Sequence, residues 1–253
     1  MAKEEQAGTG LPPGVEIAWG LRERPGKGPA RGLDVERIVA AAIAIADKEG
    51  LAAVSMSRVA SDVGVSTMAL YRYVARKDDL LMLMEDAAAG TPVPGPPPED
   101  GWRAGIAHWA RAYHDVLRRH LWIVRIPIST PPLSPHGVEW MEQALSYLRG
   151  TTLHSGERLA TLMMLSGYVR SHVALLADIE EATRAANNSW EDVERHYWTL
   201  LAQFTDPHRF PAITEMLHSG ELEELEGEAG ANDDSDFEYG LTVMLNGIQS
   251  RTQ

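Results

Sequence analysis

The sequence predicts an all-α protein built as two helical domains, and three observations carry that expectation. Strand-like alternation is absent almost everywhere along the 253 residues. Apolar residues instead recur at i, i+3 and i+4 in segments that open on Ser or Asp and close on Gly. A break at Thr91–Gly101, TPVPGPPPEDG, holds five prolines in eleven residues, a density that no helix or central strand survives. The expected organisation is an arm over residues 1–32, a small helical domain over 33–90, a Pro-rich linker over 91–101 and a larger helical domain over 102–253.

The elements follow in order. Residues 1–32 are rich in Gly and Pro and poor in apolar residues, so they read as a flexible arm; its distal half is basic, with Arg22, Arg24, Lys27 and Arg31 against Glu23. Asp34 is an N-cap for a first helix with the stripe Val35, Ile38, Val39, Ala42, Ile45 and Ala46, closed by Gly50. Ser55 caps a short second helix that ends at Gly64, and Ser66 caps a third over Thr67–Tyr73. A fourth begins near Lys77, where Asp78 and Asp79 favour the positive end of the helix dipole. Beyond the linker the helical patterns cover Trp102–Leu121, Gly137–Leu148, Ser155–Ile179, Trp190–Phe204 and Asp236–Ile248.

Composition excludes several classes. There is no cysteine, hence no disulfide framework and no thiolate chemistry. The N-terminus lacks an apolar signal region and no run of about 18 apolar residues occurs, so a cytoplasmic protein with no membrane span is expected. The net charge of −13, from 36 acids and 23 bases, argues at first against a polyanionic partner. The charge is unevenly spread, however. Nine acids and no base lie between Glu221 and Glu238, whereas between Ser57 and Lys77 the bases Arg58, Arg72, Arg76 and Lys77 face only Asp62.

The segment SMSRVASDVGVSTMALYRYVA has the layout of a helix-turn-helix: a short capped helix, a Gly at the turn and a second capped helix able to lie in a major groove. Val65 and Leu70 point to the core, which leaves Thr67, Met68, Tyr71, Arg72 and Tyr73 outward. Thr67 can bond a base edge or a phosphate, Met68 can meet a thymine methyl, and Arg72 can pair with guanine or phosphate. Tyr71, Tyr73 and Lys77 suit phosphate oxygens. The longer stretch GLAAVSMSRVASDVGVSTMALYRYVARKDDLL closely resembles the N-terminal DNA-binding domain of TetR-family transcriptional regulators, the ALYRYV…KDDLL part most specifically. AWGLRERPGKGPARGLDVERIVAAAIAIADKEG is similar to an actinobacterial-type branch of that family, and DFEYGLTVMLNGI to the last helix of the tetracycline-repressor type of C-terminal domain.

The resemblance implies a three-helix helix-turn-helix DNA-binding domain followed by a larger ligand-binding and dimerisation domain. It implies a homodimer that binds a palindromic operator and is released when a small molecule enters the C-terminal domain. Its DNA-contacting positions fall on Ser57, Arg58, Ser66, Thr67, Met68, Tyr71, Arg72, Tyr73 and Lys77. Met68 and Arg72 occupy variable positions, so no operator sequence carries over. The basic arm either tracks DNA or is a solvated linker.

In the family, the long helix and the last helix form a four-helix dimer interface. That assigns Leu159, Leu162, Met163, Ser166 and Val169, with Phe237, Leu241, Met244, Leu245 and Ile248, to a subunit contact; ordinary intramolecular core is the alternative for some of them. For the ligand the candidates are His108, Trp109, Tyr113, Trp122, Arg125, Trp140, Met163, Met164, Tyr168 and His172, a set of aromatic, polarisable and hydrogen-bonding groups suited to a drug-sized molecule. Around WIVRIP the tetracycline repressors keep a metal-binding His and a Thr where this chain has Trp122 and Arg125. That departure argues against a magnesium–tetracycline inducer, and no metal or cofactor is expected.

The nine histidines are scattered, and no HExxH, GxSxG, GxGxxG or Walker-type loop occurs, so an enzyme is not expected. The alternative to a ligand-responsive repressor is a small-molecule- or partner-binding helical protein in which DNA binding is secondary. Under the first reading, a ligand between the C-terminal helices moves the helix that begins at Lys77 and so changes the spacing of the recognition helices.

Overall fold

The computed structural model describes residues 10–21, 33–128, 132–187, 189–219 and 234–252. Arg22, Arg24, Lys27 and Arg31 of the expected arm, and the acidic run from Glu221 to Asp233, lie outside the described residues. Eleven α-helices are described: α1 (Pro13–Ala18), α2 (Val35–Glu49), α3 (Met56–Asp62), α4 (Thr67–Tyr71), α5 (Lys77–Ala89), α6 (Trp102–Arg119), α7 (Pro135–Leu148), α8 (Ser155–Ala186), α9 (Trp190–Phe204), α10 (Pro211–His218) and α11 (Ser235–Thr252). Short 3-10 turns occupy Leu51–Ala53, Pro98–Asp100 and Leu121–Arg125. Among the described residues there is no strand, and the fold is all-α as expected. The chain forms two compact units, residues 1–173 with 251–253 and residues 174–250, with the division inside α8.

Two helices were not expected. α1 lies in the segment read as a flexible arm. Pro13 at its first position presets the helical φ, but six residues cannot hold a helix in water, so packing must supply the stability. It does: Val15 is buried and α1 lies along α5. α10 also starts on a proline, Pro211. At helix ends the chain departs modestly from expectation. α4 stops at Tyr71, and α8 runs on to Ala186 because the polar residues after Ile179 are good helix formers with no stop signal.

α5 is the strut of the first unit, in contact with α1, α2, α6 and α7. Its apolar side chains Leu80, Leu83 and Met84 are buried, yet so are the carboxylates of Asp79 and Asp86. Buried carboxylates need donors, and Asp79 and Asp86, with the half-buried Glu85, each draw one from a different element. Asp79 accepts from the Gly14 amide of α1 at 3.1 Å and from Arg76 at 3.3 Å. Asp86 accepts from the His136 and Gly137 amides at the start of α7, at 2.9 and 3.4 Å, and from the His136 ring at 3.0 Å. Glu85 faces Arg170 of α8 at 3.5 Å, and that guanidinium also donates to Tyr113 Oη and to the carbonyls of Ile123 and Ile126. Burial pushes the Glu85 carboxyl above the usual carboxylate range, and Arg170 offsets part of that rise.

Two expectations follow from this bracing. A Cβ on Gly14 would sit 2.7 Å from Met82 Cε and 3.1 Å from the Asp79 Cα, so Gly14→Val should lift α1 from α5. Its amides should then exchange with solvent at least about tenfold faster in hydrogen-exchange measurements, with the core of α2–α5 unaffected. Arg170→Ala removes the donor that Glu85, Tyr113 and two carbonyls share. Because 39% of the Glu85 side chain stays exposed, water carries part of its charge, and a loss of about 2 kcal/mol in urea unfolding at pH 7 is expected. A folded-state pKa above the ordinary carboxylate value means the folded chain binds that proton more tightly, so stability falls as pH rises through the window above about 4.5. Removing Arg170 extends that window upward, and the deficit should be smaller at pH 5 than at pH 7.

Candidate nucleic-acid interface

The helix-turn-helix head is built from two capped helices set at a glycine turn. Ser55 Oγ accepts the Arg58 amide and Ser66 Oγ accepts the Ala69 amide, both at 3.2 Å, so the open ends of α3 and α4 are closed by their own side chains. Between them Gly64 takes φ +76°, a left-handed conformation that L side chains rarely adopt, and the Val65 amide returns to the Ala60 carbonyl at 2.9 Å. Val59, Ala60 and Leu70 are fully buried and lock α4 against α3, which itself packs on α2. Val65 is half-buried.

That packing leaves the opposite side of α4 open. Met68 is 76% exposed and Tyr71 43% exposed. Ser57, Arg58, Ser66, Arg72 and Lys77 are exposed as well, and Thr67 and Tyr73 half-buried, so none of the nine expected positions is hidden in the core. An exposed methionine of this degree has no packing role in the chain. The cations divide in a way that composition hides. Arg58 is bound to Glu49 of α2 at 2.8 Å and Arg76 to Asp79 at 3.3 Å, whereas among the described residues Arg72 and Lys77 have no acidic partner. The charge that α4 and the start of α5 can offer a phosphate backbone without breaking an existing pair therefore rests on those two residues.

The ligand candidates are only partly brought together. Trp109, Tyr113 and Trp140 form one cluster, with ring centroids 5.4, 6.2 and 5.7 Å apart. Both indole N–H groups are already used, Trp109 on the Trp140 carbonyl and Trp140 on the Gly90 carbonyl, each at 2.9 Å, and both rings are buried. Burial raises the Tyr113 hydroxyl pKa, partly offset by Arg170. His172 lies 3.3 Å from His114, which is 2% exposed, and its ring centroid is 6.3 Å from Tyr168. His108 rests on the Val93 carbonyl.

The remaining candidates stand elsewhere. Met163, Met164 and Arg125 are exposed. Trp122 is buried, but its Nε1 donates to Asp47 Oδ1 of α2 at 2.6 Å, and His120 Nδ1 meets the same oxygen at 2.8 Å. Its polar edge thus joins the 3-10 turn to the helix-turn-helix head. Sequence reasoning passed over Arg170, His114 and Asp47. The available signal for Arg170 was a lone arginine set between Val169 and Val173 on an apolar helix.

The subunit-contact candidates also divide. Leu162, Val169, Phe237, Leu241, Leu245 and Ile248 are buried within the single chain, Ser166 and Met244 are half-buried, and Leu159 and Met163 are exposed. Residues left open on the same helices are Gly167, Ser171 and Leu175 on α8, in register with Leu159 and Met163 at i+4 steps, and Tyr239, Val243 and Gly247 on α11. The intramolecular-core alternative therefore holds for most of the α11 stripe, and the open face is the neighbouring one.

Comparison with known proteins places this geometry. Residues 38–83 match the family described as bacterial regulatory proteins, tetR family, and residues 93–252 match the tetracyclin repressor-like C-terminal domain. The helix-turn-helix-type transcriptional repressor DrrR1 of Streptomyces coeruleorubidus is 32% identical over 239 residues, covering 93% of this chain and 84% of that protein. The structure of the Streptomyces coelicolor TetR-family protein ActR in complex with actinorhodin superposes with a TM-score of 0.72 at 26% identity, covering 88% of this chain and 98% of that one. Apo ActR gives a TM-score of 0.69 at 27% identity over 86% of this chain and 95% of that one. With its capped head, its exposed recognition helix and matches across both halves, the chain belongs to the TetR family of DNA-binding transcriptional regulators and is not an enzyme.

Proposed function

We propose that the chain is a homodimeric repressor that holds a palindromic operator through α4 of each copy and releases it when a flat aromatic molecule enters the C-terminal domain. The observation that carries the reading is the uncovered face of α4, where Met68 and Tyr71, with Arg72 at the C-cap, are exposed on a helix whose other side is locked in the core. Ser57, Arg58, Ser66, Thr67, Tyr73 and Lys77 surround that face and serve the backbone. A change of domain near the Pro-rich segment 91–101 is supported by two separate family matches, over residues 38–83 and 93–252, whose gap at 84–92 adjoins it. Such a repressor works where the chromosome is, in the bacterial cytoplasm.

Dimerisation is supported by the apolar faces left on α8 and α11. By length and composition α8 is apolar enough to cross a membrane, although the sequence holds no unbroken apolar run of that length. A second copy accounts for that apolarity: Leu159, Met163, Gly167 and Leu175 on α8, and Tyr239, Val243 and Gly247 on α11, are the residues it would cover. Gly167 and Gly247 have no neighbouring atom within 4 Å of a Cβ position, so another helix can approach closely there.

The effector class is supported by the Trp109–Tyr113–Trp140 rings, which offer stacking surface with no spare N–H, and by the actinorhodin held by ActR. Release works through α5. A guest that displaces Tyr113 disturbs Arg170 and so Glu85, while the turn at Trp122 bears on Asp47 of the head. Two recognition helices must stay about 34 Å apart to fit successive major grooves. A guest weakens the complex only by binding the misfit spacing better.

Mobility shift of the full-length protein on the region upstream of its own gene tests the DNA reading, and failure to shift any genomic fragment overturns it. Arg72→Ala should cost about 1–3 kcal/mol of operator affinity with relaxed preference at one base position. Glu49→Gln should release Arg58 to a phosphate, raise operator affinity a few-fold and steepen the log–log salt dependence by about one unit. For assembly, Val243→Arg should convert the dimer to monomer in sedimentation equilibrium and, through loss of paired half-sites, weaken operator binding by at least about 100-fold.

A further inference from the structure

A cleft of about 460 Å³ opens on the first unit, between the residues that follow α1, the Pro-rich segment and α7. Its walls are Trp19, Pro92, Pro135 and Val138, and its rim carries Glu139, Glu142 and Gln143. Positions 135, 138, 139 and 142 recur at i, i+3, i+4 and i+7, so α7 presents them as a single stripe that turns from apolar to acidic. The volume is that of an ordinary small-molecule site.

Three features give the cleft a chemistry. Trp19 is 47% exposed, an unusual position for an indole, yet it is held in place because its Nε1 donates to the Leu133 carbonyl at 2.7 Å. The ring face is thereby fixed in advance of any guest, which lowers the entropy cost of stacking on it. Glu139 has no cationic partner among the described residues, and Glu142 has only a long, solvent-exposed contact with Arg149 at 3.8 Å. Gln143 is held by its Nε2, which donates to the Val93 carbonyl at 2.8 Å, while its buried Oε1 has no hydrogen-bond partner.

We infer that this cleft is a second small-molecule site, selective for a planar aromatic cation whose ring system stacks on Trp19 against Pro92 and Pro135 and whose positive group faces Glu139 and Glu142. An aromatic face flanked by carboxylates attracts a cation twice, through the ring quadrupole and through charge. The site is distinct from the Trp109–Tyr113–Trp140 cluster. It touches both the end of α1 and α7, so an occupant ties together two elements that brace α5.

Titration of DNA-free full-length protein with thioflavin T, a planar aromatic cation, tests the inference by the rise in dye fluorescence. Saturable binding to the wild type is expected, weakening as salt rises. The double variant Glu139→Gln/Glu142→Gln should bind about tenfold more weakly and with little salt dependence, and Trp19→Ala should also bind about tenfold more weakly. Unchanged far-UV circular dichroism confirms folding of the α7 variant, whose substituted side chains are exposed. Absence of saturable binding, or wild-type affinity in either the carboxylate or the Trp19 variant, overturns the inference. Repressor function can survive that result, because operator binding is read separately.

Discussion

A carboxylate taken out of water must be given donors, and α5 buries two of them with a third half-covered beside them. Asp79, Glu85 and Asp86 cannot be satisfied within their own helix. Each reaches a different partner, namely the first turn of α1, the middle of α8 and the N-terminus of α7. An apolar α5 would pack as tightly but could slide or rotate at small cost, since dispersion contacts are non-directional. Hydrogen bonds to three separate elements define its position along and about its axis. The same helix starts at Lys77, beside the recognition helix, so fixing α5 fixes the head.

The parts of the fold that were legible in the sequence are those decided locally. Asp34, Ser55 and Ser66 announced helix starts because a side-chain oxygen two or three residues ahead of an orphan amide is a short-range device, and all three make the expected bond. Gly64 marked the turn for an equally local reason. What escaped was decided by distant partners. α1 looked like a loop because only six residues are helical, and only α5 makes them so. Arg170 went unmarked beside the apolar stripe of α8, because its reason lies 85 residues away at Glu85. The stripe Phe237, Leu241, Leu245 and Ile248 was correctly seen as apolar, but periodicity alone cannot say whether a helix face meets its own chain or another.

Charge shows the same limit. A net −13 says little about a DNA partner once the acids of Glu221–Glu238 are set apart, yet the local excess of bases between Ser57 and Lys77 overstates what is available. Arg58 and Arg76 spend their charge on Glu49 and Asp79. For Arg58 that pairing has a consequence: contact with a phosphate must first displace Glu49, so its contribution to affinity is the difference between two ion pairs, both screened by water. The interface is thus less basic than its composition, which favours discrimination by base contacts over indiscriminate attraction to the backbone.

Asp47 completes the argument about signal transfer. It lies on α2, the first helix of the head, and one of its oxygens receives both Trp122 and His120 from the 3-10 turn after α6. The turn is also held from the other side, because the carbonyls of Ile123 and Ile126 accept from Arg170. The five residues Leu121–Arg125 therefore lie between a carboxylate of the head and a guanidinium of α8. The same guanidinium reaches Tyr113 of the aromatic cluster and Glu85 of the strut. A ligand that moves Tyr113 cannot leave the remaining bonds of Arg170 unchanged, since the guanidinium is planar and its donors are fixed relative to one another. In the proposed mechanism two routes, one through Glu85 into α5 and one through the 3-10 turn into α2, would carry that displacement to the head. Bonds made at fixed angles, rather than the apolar contacts around them, are what make the two ends of this unit move together.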